Sequence, residues 1–184
     1  MTTTTLSAPL NRLARLSRVM EIMTDIGIAL VLALTVACFL IPEWSRNLLL
    51  AKLGQVGAAL PVTAQARLAA AAVVAIPVAV MLYGLWKVRA LFREFGDGRV
   101  FTARAARHLQ VFAATVLAQA PLGPLISAAL SVAVSLADDS AGRLHAITFS
   151  LHDYYALVVG GVLLAAATVM REAARLSDEN ASFV

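Results

Sequence analysis

The segment between the last two apolar runs contains the side chains that could bind a metal ion. His145 and His152 lie there with Asp138, Asp139 and Asp153, and imidazole and carboxylate are common zinc ligands. Their spacing does not match a ligand pattern such as HExxH, in which two histidines share one face of a helix. We therefore interpret them as solvated loop residues and expect neither a metal site nor another cofactor.

Serine and cysteine side chains give no better basis for catalysis. Hydrolysis within a membrane needs a nucleophile beside a base or a metal ion. Ser127 and Ser131 lie in an apolar run without a histidine at the same depth, because all 3 histidines lie near the ends of such runs. Cys38 is the only cysteine, so no intrachain disulfide and no thiolate cluster can form. We expect a non-enzymatic protein.

Two acidic residues lie in the first apolar run. Glu21 and Asp25 are one turn apart on one helix face, and a carboxylate in hydrocarbon usually faces other helices or a wet cavity. The favoured interpretation is interfacial depth, with Arg18 or the basic hairpin described below as counter-charge. The alternative is an intramembrane site that handles protons or cations, and Asp25 is the residue that would test it.

Composition indicates the class of protein. Hydrophobic residues make up 60% of the 184 residues and charged residues 14%, whereas a soluble domain is about 45–50% apolar and about 25% charged. The apolar residues form long runs, so the chain is predicted to be an integral membrane protein. Its net charge of +4 comes from basic residues beside these runs. That placement favours contact with anionic lipid head groups over nucleic-acid binding.

The segment Lys87–His108, here called the basic hairpin, joins the second and third apolar runs and sets the predicted orientation. Its only acids are Glu94 and Asp97, so the excess of Lys and Arg places it on the cytoplasmic face. The Gly-Asp-Gly sequence at 96–98 predicts a turn, and Thr102 is predicted to cap the next helix. The candidate partner-binding residues, on this hairpin and on the C-terminal tail, are Arg93, Arg99, Arg104, Arg107, Arg175 and Glu179.

Four apolar runs predict an all-α, polytopic membrane protein with four transmembrane helices and both termini in the cytoplasm. An alternative is that the first run is a cleaved signal peptide, but an uncleaved helix is favoured. The predicted segments are a cytoplasmic tip with a short amphipathic helix (1–18), the first span (19–41), an external loop with an interfacial helix (42–65), the second span (66–92), the remainder of the cytoplasmic basic hairpin (93–108), the third span (109–136), a second external loop (137–153), the fourth span (154–170) and a cytoplasmic tail (171–184).

Prolines interrupt the second and third spans. Pro77 lies in the middle of the second span and is predicted to kink it. Pro121 and Pro124 are expected to break or strongly kink the third span, next to the intramembrane polar residue Gln119. A broken helix can present backbone carbonyls to an ion, although packing against neighbouring helices is the commoner outcome.

Two stretches resemble a known family. Residues 91–102, LFREFGDGRVFT, contain an aromatic helix end, a glycine turn and Phe-Thr at the start of the next helix. Residues 171–184, REAARLSDENASFV, form a basic helix followed by acids and Glu-Asn. Together they resemble the DUF2975 family of small bacterial four-helix membrane proteins, whose function is unknown. The chain departs from the family pattern at Ala105 and Ala106, where a polar residue is typical, and at its Ser-Phe-Val ending.

The resemblance implies a multi-pass protein of the bacterial cytoplasmic (inner) membrane without an established reaction. Family members are often encoded beside small helix-turn-helix regulators, which implies a sensing or sequestering role. We therefore expect a regulatory or scaffolding module that binds a cytoplasmic regulator protein through the hairpin and tail. The alternative is a small oligomeric channel or transporter that uses the kinked second and third helices. The lipid bilayer and a second copy of the chain are the other expected partners.

Overall fold

Four long helices make up the fold of this protein in a computed structural model that describes residues 7–41, 43, 64–137 and 151–181. No strand occurs in those ranges. Each helix is long and apolar enough to cross a membrane, which confirms the predicted all-α fold with four transmembrane helices. The helices are α1 (Ser7–Leu40), α2 (Ala64–Gly96), α3 (Ala103–Ala137) and α4 (Leu151–Ala181).

The helices pack in chain order, with α1 on α2, α2 on α3 and α3 on α4. Each neighbouring pair is antiparallel, because the first half of α1 contacts the end of α2, the end of α2 contacts the start of α3, and the second half of α3 contacts the start of α4. The basic hairpin therefore lies at the same end of the bundle as the first half of α1 and the end of α4. We call this end, made of residues 12–25, 87–108 and 171–181, the hairpin end.

Small side chains recur every seven residues on the buried side of α3 and α4. A seven-residue repeat keeps one helix face against its neighbour at a shallow left-handed crossing. Alanine and glycine at such positions let two backbones approach closely, and that packing drives helix association in a bilayer. The buried positions are Ala106, Ala113, Ala120 and Ser127 on α3, and Asp153, Gly160, Ala167 and Ala174 on α4.

Gly84 and Gly160 mark close approaches between helices. A methyl group on Gly84 of α2 would overlap the hydroxyl of Thr115 on α3. A methyl group on Gly160 of α4 would overlap both the side chain and the backbone nitrogen of Leu117 on α3. Gly161, by contrast, has open space around it. Of the neighbouring Gly160 and Gly161, only the first is required by packing.

Helix α1 is continuous from Ser7 to Leu40. The predicted amphipathic helix therefore forms the first turns of α1 and is not a separate element. The apolar character of the first span starts within the same helix, and no glycine or proline separates the two parts. The predicted interfacial helix at 42–65 lies outside the described residues, apart from Glu43 and the first turn of α2.

Helix α3 continues through Pro121 and Pro124. The chain does not break there, although each proline removes one helical hydrogen bond. Pro124 and Ala120 are buried, and packing against neighbouring helices holds a helix together across such positions. Kinks at Pro77, Pro121 and Pro124 stay a prediction, as does the orientation with both termini in the cytoplasm.

Candidate functional site

The turn of the basic hairpin is fixed by its backbone. Gly98 has φ of +79°, a left-handed conformation that glycine adopts without a steric penalty. The N–H of Gly98 donates to the Phe95 carbonyl at 3.1 Å, and the N–H of Arg99 donates to the Glu94 carbonyl at 3.0 Å. This pair of bonds is the Schellman pattern that closes a helix C-terminus. The predicted turn is therefore confirmed, and its conformation is well defined.

The other side of the turn is a capped helix start. The Thr102 hydroxyl accepts a hydrogen bond from the N–H of Ala105 at 3.2 Å. Such a bond satisfies one of the amides that have no partner within the first turn of a helix. Helix α3 begins immediately after Thr102. The predicted cap is confirmed.

A nearly buried carboxylate ties the two sides of the turn together. The Glu94 side chain is 11% exposed, and Arg99 Nε donates to its Oε2 at 2.8 Å. Arg104 Nη1 lies 3.6 Å from the other oxygen of Glu94, and Arg99 also donates to Asp97 at 2.7 Å. The hydrogen bond to Glu94 raises the pKa of Arg99 further above its ordinary value. Charge-assisted hydrogen bonds of this kind hold the two side chains in one geometry.

The structure thus separates the arginines that were predicted to bind a partner. Arg99 and Arg104 brace the turn through Glu94. Arg93 and Arg107 are exposed, and neither makes an ion pair with any residue in the described ranges. Two of the four candidate arginines of the hairpin therefore contact Glu94, and the other two are exposed.

The candidate residues of the tail pair with one another. Arg175 lies between Glu172 and Glu179, with Nη1 2.7 Å from Glu179 Oε1. All three side chains are more than half exposed. Solvent-exposed helical pairs of this kind are weak, because water and salt screen the two charges. This i,i+3 and i,i+4 pairing stabilises the end of α4 only slightly.

Arg89 of α2 is the counter-charge of the two acids on α1. Its Nε lies 2.6 Å from Asp25 Oδ1, and its Nη2 lies 3.7 Å from Glu21 Oε1. The short Nε contact lacks hydrogen-bond geometry, since that buried nitrogen has no hydrogen-bond partner, so we describe it as an ion pair. Of the two predicted counter-charges, Arg18 and the basic hairpin, the structure shows the hairpin through Arg89, while the interfacial depth of Asp25 stays a prediction. Next to this pair, the buried Ser17 of α1 packs near Gly96.

Gln119 bridges two helices at the depth of the prolines. Its Nε2 donates to the carbonyl of Pro77 on α2 at 3.1 Å. Polar side chains commonly satisfy backbone carbonyls near a proline within a membrane helix. The structure therefore brings together Gln119 and Pro77, which the sequence indicated separately. The amide nitrogen of Gln119 already has a hydrogen-bond partner within the protein.

Asp153 is a buried acid that sequence analysis assigned to a loop. It lies in the first turn of α4, is 8% exposed, and packs so closely on Gly123 of α3 that a methyl group there would overlap its carboxylate. The nearby Ser127 hydroxyl donates to the Gly123 carbonyl at 3.2 Å. One signal was present in the sequence, because Asp153 lies seven residues before Gly160 in the buried stripe of α4.

Metal-binding side chains do not cluster in the part of the chain that the structure describes. Cys38, His108 and Asp153 lie on three different helices. Asp138, Asp139 and His145 lie outside the described residues, so the absence of a metal site there stays a prediction.

One comparison with known proteins gives a match. A family model described as "Protein of unknown function (DUF2975)" matches residues 50–184, which include α2, α3 and α4 and exclude α1. No curated protein matches the chain, and no solved structure matches it.

Proposed function

The chain belongs to the DUF2975 family of unknown function, and we propose that it is a non-enzymatic membrane module that binds a cytoplasmic protein through its hairpin end. The proposal places the hairpin end in the cytoplasm, the tail included. It assigns the spans to the bacterial inner membrane. The partner in this proposal is a soluble regulator with an acidic surface.

The distribution of charge supports this placement. Most of the 15 lysines and arginines lie at the hairpin end, and cytoplasmic segments carry such an excess. The residues at that end are Arg12, Arg15, Arg18, Lys87, Arg89, Arg93, Arg99, Arg104, Arg107, Arg171 and Arg175.

The braced turn is the observation that carries the proposal. Because Glu94 binds Arg99 and contacts Arg104, the hairpin backbone is already ordered before any partner arrives. A preformed surface loses less conformational entropy on binding than a flexible loop does. Arg93 and Arg107 project from this surface without an ion pair in the described ranges, so their charges are directed at a partner.

The test is quantitative affinity purification of the full chain from native membranes. Arg93→Glu places a repulsive charge against an acidic partner, and like charges in contact cost several kcal/mol, so recovery of the partner should fall by more than about tenfold. Arg143→Glu, which reverses an arginine between α3 and α4, is the matched control and should leave recovery unchanged. Equal recovery with Arg93→Glu, or no stoichiometric soluble partner at all, would refute the proposal.

A second variant separates the brace from the contact surface. Arg99→Ala removes the strongest bond to Glu94 but leaves Arg93 and Arg107 in place. If the braced geometry matters, this variant should weaken partner binding without abolishing membrane insertion. Binding equal to that of the unchanged protein would leave the exposed arginines as the whole interaction surface.

The second candidate function is a small oligomeric channel or transporter, and the position of Asp153 favours it. Asp153 is a buried acid on α4 that packs against Gly123 of α3, between the two prolines of α3. Ionisable residues within membrane segments commonly lie on ion pathways. Purified protein in liposomes should then conduct Na⁺, K⁺ or H⁺, and Asp153→Asn should change that flux more than Asp25→Asn. Absence of flux for all three ions would remove this candidate.

A further inference from the structure

Aromatic side chains mark the depth of the basic hairpin in the bilayer. Lys87 Nζ lies 5.0 Å from the centre of the Tyr83 ring, a cation–π contact. Tyr83 is exposed, and Trp86 is 67% exposed. Tyrosine and tryptophan concentrate at the level of the lipid head groups. The end of α2 near Lys87 therefore lies where acyl chains meet phosphates.

Basic side chains from α3 lie beside this part of α2. Lys87 lies between Gly84, which packs on Thr115 of α3, and Glu94, which contacts Arg104 of α3. It is therefore level with the first turns of α3, where its charge and those of Arg104 and Arg107 act on the His108 imidazole. The acid in this group is Glu94, which Arg99 binds and Arg104 contacts, so Lys87 and Arg107 are left without an acidic partner in the described ranges. The group therefore has a surplus of positive charge. We call Lys87, Arg104, Arg107 and His108 the seam cluster, since they lie on α2 and α3, which pack together.

We propose that the seam cluster binds the phosphate of an anionic phospholipid, whose acyl chains lie along Tyr83 and Trp86. Basic groups between transmembrane helices at the head-group level are suited to such lipids. The long Lys87 side chain can keep its apolar stem against Tyr83 and extend its ammonium to a phosphate. A soluble anion would use the cations but would gain nothing from the exposed aromatic rings.

This lipid site shares Arg107 with the surface proposed for the protein partner, whereas Lys87 and Arg93 distinguish the two sites. Arg93 lies six residues from Lys87, which places it about 120° away around α2. It is thus a basic residue at the same end of the same helix but on a different face. Arg93 serves as the matched control for the lipid site, whereas its reversal is the test of the protein partner.

The experiment uses the full chain in bilayers of phosphatidylcholine and phosphatidylglycerol, with Trp44→Phe to leave Trp86 as the reporter. Quenching of Trp86 fluorescence by brominated phosphatidylglycerol, relative to brominated phosphatidylcholine, measures the preference for the anionic lipid. Each cation near the surface contributes about 1 kcal/mol, so Lys87→Gln with Arg107→Gln should lower this preference by up to about 30-fold. Lys87→Arg keeps the charge and should keep the preference, as should Arg93→Gln.

Three results would overturn the proposal. The first is an unchanged preference in the Lys87→Gln, Arg107→Gln variant, provided circular dichroism shows intact helices. The second is an equal loss with Arg93→Gln, which would indicate general surface charge. The third is displacement of the lipid by millimolar inorganic phosphate or glycerol phosphate, which would indicate a site for soluble anions. If the protein shows the preference for the anionic lipid but no soluble protein partner is recovered by affinity purification, that result counts against the proposed function and not against the lipid site.

Discussion

Helix α1 meets α2 through charged and small polar side chains, whereas α4 meets α3 through positions that are mostly glycine or alanine. On the first pair, Arg89 lies against Asp25 and Glu21. On the second, Gly160 lies against the Leu117 backbone. The family match includes α3 and α4 but begins after α1. The close contact between α3 and α4 thus lies within the part of the chain that matches the family. The ion pair, by contrast, joins α2 to α1, which lies outside that match.

The difference matters because the two kinds of contact respond to different changes. A close approach at glycine tolerates no added side chain, since both backbones would have to move. An ion pair at the edge of a bilayer is adjustable, because long side chains can find water or other partners. We therefore expect α4 to be fixed against α3, and α1 to be held less tightly to α2.

The largest effect is expected at Gly160. Gly160→Leu would overlap the side chain and backbone nitrogen of Leu117, and overpacking of this kind costs about 3 kcal/mol. The free energy of unfolding in detergent, measured by circular dichroism, should fall by that amount. Gly161→Leu is the control, because its site is open and the variant should unfold almost as the unchanged protein does. Equal stability of the two variants would contradict the close packing of α3 and α4.

A smaller effect is expected at Arg89. Arg89→Gln leaves Asp25 and Glu21 without their counter-charge, which should cost about 1–2 kcal/mol because the site is only partly buried. Adding Asp25→Asn should recover part of that loss, since the uncompensated charge is removed. A double-mutant cycle on unfolding free energies measures this coupling. Fully additive effects would mean that Arg89 and Asp25 do not interact.

The position of α1 can be followed directly in the same variants. A Cβ atom on Gly96 would lie 3.8 Å from the Ser17 Cβ, close to the mean separation in disulfides. Ser17→Cys with Gly96→Cys, in a Cys38→Ser background, should therefore form an intrachain disulfide quickly. Arg89→Gln should slow its formation if the ion pair positions α1. An undiminished rate would assign the docking of α1 to packing alone.

The smallest effect is expected at Thr24, a buried polar residue of α1. Its hydroxyl donates to the Met20 carbonyl in the same helix at 2.7 Å, so it makes no bond to α2 that would be lost. Thr24→Val should change the unfolding free energy by less than about 0.5 kcal/mol. A loss as large as that of Arg89→Gln would show that hydroxyl groups, and not the ion pair, hold α1.

Local features of the hairpin end were predictable from the sequence. The Gly98 turn, the Thr102 cap and the pairing of Arg175 with its neighbours depend on residues within five positions of one another. Helix and turn geometry alone determine which of these groups can meet. The counter-charge of Asp25 was predicted only as Arg18 or the basic hairpin, because choosing Arg89 requires the register of α1 on α2.

Contacts between helices were harder to predict. Gln119 with Pro77, and Asp153 with Gly123, join residues whose meeting depends on which helices are neighbours. Asp153 was assigned to a loop because it follows a polar segment, although its seven-residue spacing from Gly160 was visible. The bond from Arg99 to Glu94 was not predicted, because net charge does not reveal which arginine a buried glutamate will bind.

The side of the membrane on which the basic hairpin lies tests the central claim most directly. A single cysteine at the turn, Asp97→Cys in a Cys38→Ser background, can be labelled with a membrane-impermeant maleimide in spheroplasts and in inverted vesicles. We expect labelling in inverted vesicles only, and the opposite pattern for a single cysteine at Asp138→Cys. Labelling of the turn in intact spheroplasts would place the braced arginines outside the cell and would contradict a cytoplasmic binding surface.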